Sequence, residues 1–321
     1  MKKNLGKKAL LPAIAMVLAS VIALSGVTYA WFTTGNTAQV DALDVNVATA
    51  SGIQVSLDAA SWKSTLTAKD FENAVKSNNV TVQYPMGNAE IAPMSSAGLI
   101  AVDDKGEPNG KLAMFYGEIN KDGTLYSRQE VESNTTSAGN FVAFDLYFKA
   151  TSAQTLTMNM GDTMSFVKGV DLATKTEDGK VDETAIGTEK AVRVAFVVMN
   201  GSTSSVADAR ANKDVKEVMI WEPNSTSRAN GVPEGTEDDK VLPYLGFNQN
   251  FESCEVSKLA ENGYASAVTT FDGEKAIIDL QPGINKVRVY IWLEGQDVDC
   301  VNDISFGDFR VNLYFSVPAE D

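Results

Sequence analysis

Apolar and polar residues alternate with a period of two along much of this chain, the spacing of a strand buried on one face. At residues 141–150, Val142, Phe144, Leu146 and Phe148 share one face and Ala143, Asp145, Tyr147 and Lys149 the other. Residues 191–199 repeat the pattern, with Val192, Val194, Phe196 and Val198 turned inward and Arg193 outward. The strongest signal lies in the C-terminal quarter. Residues 276–280 lead through a Gln281-Pro282-Gly283 turn into 286–293, where Val287, Val289 and Ile291 oppose Arg288, Tyr290 and Trp292. Residues 309–317 follow, with Val311, Leu313 and Phe315 on one face. Alternation at 41–48 (Leu43, Val45, Val47) and 52–57 (Ile53, Val55, Leu57) predicts further strands, and 80–84 and 215–221 read as extended. Residues 155–160 and 164–167 read as hairpin neighbours of the 141–150 strand.

Between these runs the chain is punctuated by turns. Asp103-Asp104-Lys105-Gly106, Pro108-Asn109-Gly110 and Lys121-Asp122-Gly123 bound segments at 111–119 and 124–127 that predict a hairpin. Thr67-Ala68-Lys69-Asp70 has the form of a capping box, and Phe71 and Val75 lie one turn apart, which predicts one helix at 68–77. Residues 171–190 and 224–240 read as long acidic loops and 201–212 as a polar linker. Short strands with turns between them predict an all-β fold, a single large elaborated jelly-roll-like β-sandwich over residues 31–321 with one short helix and long loops at its rims.

Residues 1–30 break the alternation. Lys2, Lys3, Lys7 and Lys8 form a basic head, and residues 9–24 are apolar apart from Pro12 and Ser20. Ser25-Gly26-Val27-Thr28-Tyr29-Ala30 then relaxes into small and polar residues. This three-part pattern predicts a secretory signal peptide cut between Ala30 and Trp31. The alternative is an uncleaved anchor, since residues 9–27 are long enough to span a bilayer as a helix. The Ala/Val-rich run and the small-residue site favour cleavage. In both cases Trp31 onward works outside the cytoplasm, with the membrane met only through the signal segment.

The junction Ala30-Trp31-Phe32-Thr33, a Thr/Asn-rich tether at 33–37 and the strand after it resemble the exported TasA/camelysin group of Gram-positive bacteria. The resemblance covers residues 2–47. It implies a dedicated signal peptidase, a jelly-roll mature domain, and a place at the cell surface or in the extracellular matrix of a biofilm. Some members of that group carry a metallopeptidase label. This chain has no histidine, hence no His-Glu-x-x-His motif, and the resemblance brings no protease activity with it.

The missing histidine also excludes Ser-His-Asp and Cys-His catalysis and the usual zinc, copper and haem ligand sets. Charge narrows the partners further. With 27 Lys+Arg against 42 Asp+Glu the formal charge is −15, and cleavage at Ala30 removes four lysines and no acid, giving −19. Nucleic acid and anionic lipid demand a basic face and are not expected as partners. Hydrophobic residues at 44% suffice for a packed core.

Cys254 and Cys300 are the only cysteines, and in an oxidising compartment they are expected to pair as a disulfide; two separate thiols are the alternative. Glu294, Asp297, Asp299 and Asp303 gather hard oxygen ligands in one loop and form a candidate calcium site, the one cofactor the sequence suggests. The competing reading is an acidic, solvated loop. Trp31, Trp62, Trp221 and Trp292 could offer sugar platforms, although core packing accounts for most tryptophans. No catalytic residues emerge, and no enzyme is expected; an acid pair for glycoside hydrolysis depends on separations that sequence does not carry.

The sequence therefore favours a surface or matrix structural protein acting by association with itself or another matrix protein. The resemblance to filament-forming members of that group implies that Leu43, Val45 and Val47, which alternate as a strand, form an assembly strand added to the sheet edge of a neighbouring copy after signal cleavage; the alternative is the first strand of their own sandwich. A secreted carbohydrate-binding or adhesin module, with polysaccharide as partner, is the second functional reading. No Leu-Pro-x-Thr-Gly motif occurs, so covalent wall anchoring is not expected.

Overall fold

The computed structural model describes residues 38–39, 46–49, 53–75, 82–83, 90–96, 98–119, 125–130, 132, 140–175, 181–182, 188–224, 246–247, 253–254, 268–271, 273–295, 300 and 308–317. The fold is all-β, mostly antiparallel. One sheet runs in the order Val268–Phe271, Val215–Trp221, Val192–Met199, Gly283–Leu293, Val142–Ala150 and Gln54–Ser56, and Val82–Gln83 also pairs with Val142–Ala150. The other runs Val181–Asp182, Phe166–Lys175, Asp308–Ser316, Gln154–Met158 and Lys275–Leu280; Asn46–Thr49 lies against Asp308–Ser316, with Thr65–Leu66 on its far side.

The inward-facing sets read from the alternation meet between these sheets. Val142, Phe144, Leu146, Phe148, Val194, Phe196, Val287 and Val289 from the first pack with Leu156, Val311, Leu313 and Phe315 from the second. Phe315 takes the edges of Phe148 and Phe196, with centroids at 5.4 and 6.2 Å. Aromatic and β-branched residues on facing sheets bury their apolar area together, which is the main term holding such layers in place.

The helix forms at Ala68–Val75. Thr67 N–H donates to Asp70 Oδ2 at 2.9 Å, the back half of the capping box, and Phe71 drives edge-on into Phe144 at 4.8 Å. Residues 76–77 of the expected helix lie outside the described set. A second helix, Val206–Ala211, replaces part of the polar linker expected at 201–212. Ser205 caps it by accepting from Asp208 N–H at 3.3 Å, and Ala209 packs with Tyr147 and Ile284.

Two further expectations are corrected. Residues 155–160 and 164–167 are not hairpin neighbours of Val142–Ala150: the chain crosses to the other sheet, where Gln154–Met158 pairs with Lys275–Leu280 and Phe166–Lys175 with Asp308–Ser316. Both sides of Val142–Ala150 are already taken, by Gly283–Leu293 along its whole length and by Gln54–Ser56 and Val82–Gln83 opposite. Within the acidic stretch 171–190 the chain is structured in part, because Phe166–Lys175 runs through its start, Val181–Asp182 pairs with that strand, and Thr188–Ala191 forms a 3-10 turn. Of the loop at 224–240 only Asn224 is described.

The largest departure from a plain sandwich lies on the outer side of the first sheet. The expected hairpin forms, Met114–Ile119 pairing with Leu125–Glu130, and beside it Ile100–Val102 pairs with Pro108–Leu112. Met94, Ile100, Leu112 and Met114 from this region close over Ala195, Val197, Met199, Ile220, Tyr290 and Trp292 and make a second core. The cover is tied on by backbone bonds, Met94 N–H to Leu293 O at 2.8 Å and Gly295 N–H to Met94 O at 2.7 Å. Arg193, expected to face outward to solvent, is therefore fully buried.

Candidate functional site

Covering the outer face traps its charged residues, and these build the most organised polar cluster among the described residues. Asp145 and Arg288 are direct partners across adjacent strands. Arg288 Nη1 donates to Asp145 Oδ1 at 2.7 Å, while Lys286 Nζ lies 3.2 Å from Asp145 Oδ2 and Tyr147 Oη donates to that oxygen at 3.3 Å. From the cover, Glu132 brings one carboxylate oxygen to Arg288 Nη2 and the other to within 3.1 Å of Lys111 Nζ. Tyr290 Oη accepts from Arg288 Nε and from Leu112 N–H, both at 3.0 Å. Lys286 Nζ donates to Arg210 O at 3.1 Å and Asn212 O at 3.0 Å, at the C-terminal end of the second helix, where the helix dipole favours a cation.

The cluster thus joins sheet, cover and helix through charges withdrawn from water. The side chains of Arg288, Asp145, Glu132 and Lys286 are 2%, 3%, 5% and 9% exposed. Burial raises the pKa of Asp145 against the opposing pull of Lys286 and Tyr147. Burial, then the charge of Arg288, lowers that of Lys111. Tyr290 and Tyr147 are pushed up, in each case first by burial. Three cations meet two carboxylates, and each acidic oxygen lies within ion-pair distance of one of them. Such a set holds layers in register; it presents no nucleophile–base pair to an outside substrate.

A smaller cluster sits on the same face. Arg193 Nη2 donates to Glu222 Oε1 at 2.6 Å and its Nη1 to Lys190 O and Val192 O at 3.2 and 3.1 Å. Trp292, the cross-strand partner of Arg193, donates from Nε1 to Glu294 Oε2 at 3.0 Å. Elsewhere, a cleft of about 320 Å³ beside the first helix is lined by Asp58, Lys63 and Asp70. Asp58 is satisfied within its own loop. Against the upward pull of partial burial, hydrogen bonds from Ser61, Ser56 and Ala60 hold its pKa at about 2. Asp70 pairs with Lys63 and accepts from Thr67.

The residues singled out by sequence are placed unevenly. Ala30, Trp31, Leu43 and Val45 lie outside the described residues. Val47 is fully buried in the chain's own sandwich, on the strand Asn46–Thr49 between Asp308–Ser316 and Thr65–Leu66. Cys300 is buried in the main core; Cys254 lies on the strand Ser253–Cys254, and its side chain is outside the described set. Of the candidate calcium ligands, Glu294 is completely buried with its carboxylate on Trp292, while Asp297, Asp299 and Asp303 are not described. Among the tryptophans, Trp221 and Trp292 belong to the cores, and Trp62 packs against the cluster of Tyr147 and Ile284. Among the described residues no group of three or more carboxylate or cysteine side chains is gathered to hold a metal ion.

Sequence reasoning missed Asp145, Arg288, Lys286, Glu132 and Lys111. A signal was present: opposite charges at the centres of two strands that also carry Ala143, Tyr147, Tyr290 and Trp292 on that face. The chain matches no protein-family model, no curated protein and no solved structure.

Proposed function

We propose that this chain is an exported structural protein of the cell surface or extracellular matrix, acting by self-association through its N-terminal strand. The leader pattern at residues 1–30 supports export. The observation that carries self-association is the position of Asn46–Thr49. This four-residue strand runs parallel to Asp308–Ser316 in a sheet whose other pairings are antiparallel, and it fills an interior slot, with Thr65–Leu66 as its other neighbour. A second copy could supply the same residues to the same slot and restore each main-chain bond and the pocket of Val47. Exchange of an identical element is a low-cost route to assembly, and a head-to-tail exchange propagates into a fibre unless it closes into a ring. The reading assigns the protein no catalytic role.

The deciding experiment compares protein starting at Trp31 with protein starting at Ser51, by light scattering and negative-stain microscopy. The longer form is expected to assemble with rising concentration. The shorter form is expected to stay monomeric and to bind an added peptide of residues 37–50. A longer form that remains a monodisperse monomer at high concentration overturns the proposal.

A further inference from the structure

We propose that Lys286 and Asp145 condense into an intramolecular amide, a covalent tie between the strands Gly283–Leu293 and Val142–Ala150. Arg288 pairs directly with Asp145 and Lys286 with Tyr147, so Lys286 and Asp145 are diagonal neighbours on one face. Lys286 Nζ stands 3.2 Å from Asp145 Oδ2, in direct contact with the carboxyl group it would attack, and both side chains are at least nine-tenths buried.

The groups around the pair suit the reaction. An amine attacks only as neutral –NH₂, which has two hydrogens and one lone pair. Arg210 O and Asn212 O accept two hydrogen bonds from Nζ, which leaves the third direction for the carboxyl group. Arg288 Nη1 holds Oδ1 at 2.7 Å, where negative charge grows as nitrogen adds to the carbon. Glu132, bound to Arg288 Nη2 and to Lys111, fixes the guanidinium from the cover side. Tyr147 Oη donates to Oδ2, the oxygen that departs.

The step balances without any co-reactant. A proton passes from the Lys286 ammonium to the Asp145 carboxylate, giving a neutral pair, the form that burial favours for Asp145. The Nζ–Cγ bond forms and the Cγ–Oδ2 bond breaks. Oδ2 leaves with the carboxyl proton and one proton from nitrogen, as water, and nothing is oxidised or reduced. The product removes one charge of each sign from the interior, and exclusion of bulk water protects the amide from hydrolysis.

The measurement is the intact mass of the purified full chain after reduction. It is expected to fall below the mass of its sequence by one water molecule. Proteolysis is expected to release a branched species joining the peptides that contain Asp145 and Lys286. Lys286→Arg keeps the positive charge and is expected to restore the full mass. Folded wild-type protein at full sequence mass overturns the proposal; so does a water loss confined to a single linear peptide, which marks a succinimide. The wild-type result decides even if the variant does not fold.

Discussion

Arg193 and Trp292 are cross-strand partners on the side of the first sheet turned away from the sandwich core, and both are fully buried. A face that carries a guanidinium ordinarily meets water. Here it meets a second apolar layer, so Arg193 is held by Glu222 and the Trp292 indole by Glu294. The cover is as much part of the folded unit as either sheet. Trp292→Ala is therefore expected to cost about 3–5 kcal/mol of stability, the range for removing a large aromatic from a packed interior. Denaturant titration followed by far-UV circular dichroism checks this; a cost below about 1 kcal/mol would show that the outer face is not a core.

The Asp145–Arg288 pair gives a second expectation. Arg288→Met leaves Asp145 and Glu132 without their shared guanidinium in a site from which water is excluded. Breaking one side of a buried ion pair costs about 3–5 kcal/mol, largely because the partner charge stays buried. Replacing Arg288, Asp145, Glu132, Lys286 and Lys111 together by apolar residues of similar volume is expected to recover much of that loss. Equal destabilisation in the single and fivefold variants would contradict this account.

How far these features could be read from residues alone depended on the face. The inward sets Val142–Phe144–Leu146–Phe148 and Val311–Leu313–Phe315 were legible because a period of two with large apolar residues has one economical solution. The cover was not, because Arg193, Asp145 and Arg288 mimic a solvated face, and only strand register brings Asp145 opposite Arg288. The 150–154 crossover was hidden as well: a local pattern cannot distinguish a hairpin from a change of sheet when the deciding partner, Gly283–Leu293, lies more than a hundred residues away. The helix Val206–Ala211 left a trace in Ser205 and Asp208, a capping pair inside a short polar stretch.

Asp58 predicts a pH dependence. Its folded pKa, about 2, lies below the ordinary 3.8, so ionised Asp58 favours the folded state. That contribution is complete above about pH 4 and is lost as pH falls through 4 toward 2. Asp70, lowered despite desolvation by its bonds to Lys63 and Thr67, acts in the same direction. Asp58→Asn is expected to flatten the decline in melting temperature between pH 4 and pH 2. A variant whose acid limb superimposes on that of the parent protein would remove Asp58 from the explanation.

The final prediction concerns Cys254 and Cys300. Cys300 is buried among the residues of the main core, eight residues before the start of the strand Asp308–Ser316. If the chain is exported to an oxidising compartment as proposed, its only pair of cysteines is expected to be joined. The bond would close a loop of roughly 46 residues and stabilise the fold by about 3–4 kcal/mol on the chain-entropy account. It would also tie residues 255–299, which include the strands Val268–Phe271, Lys275–Leu280 and Gly283–Leu293, into one closed ring. Thiol labelling of the unfolded, unreduced protein is expected to find no reactive cysteine. Reduction should then lower the melting temperature, and Cys254→Ser should reproduce that loss without any reductant. Two labelled thiols per chain in material secreted under oxidising conditions would end the prediction and leave Cys300 as a buried apolar side chain of the core.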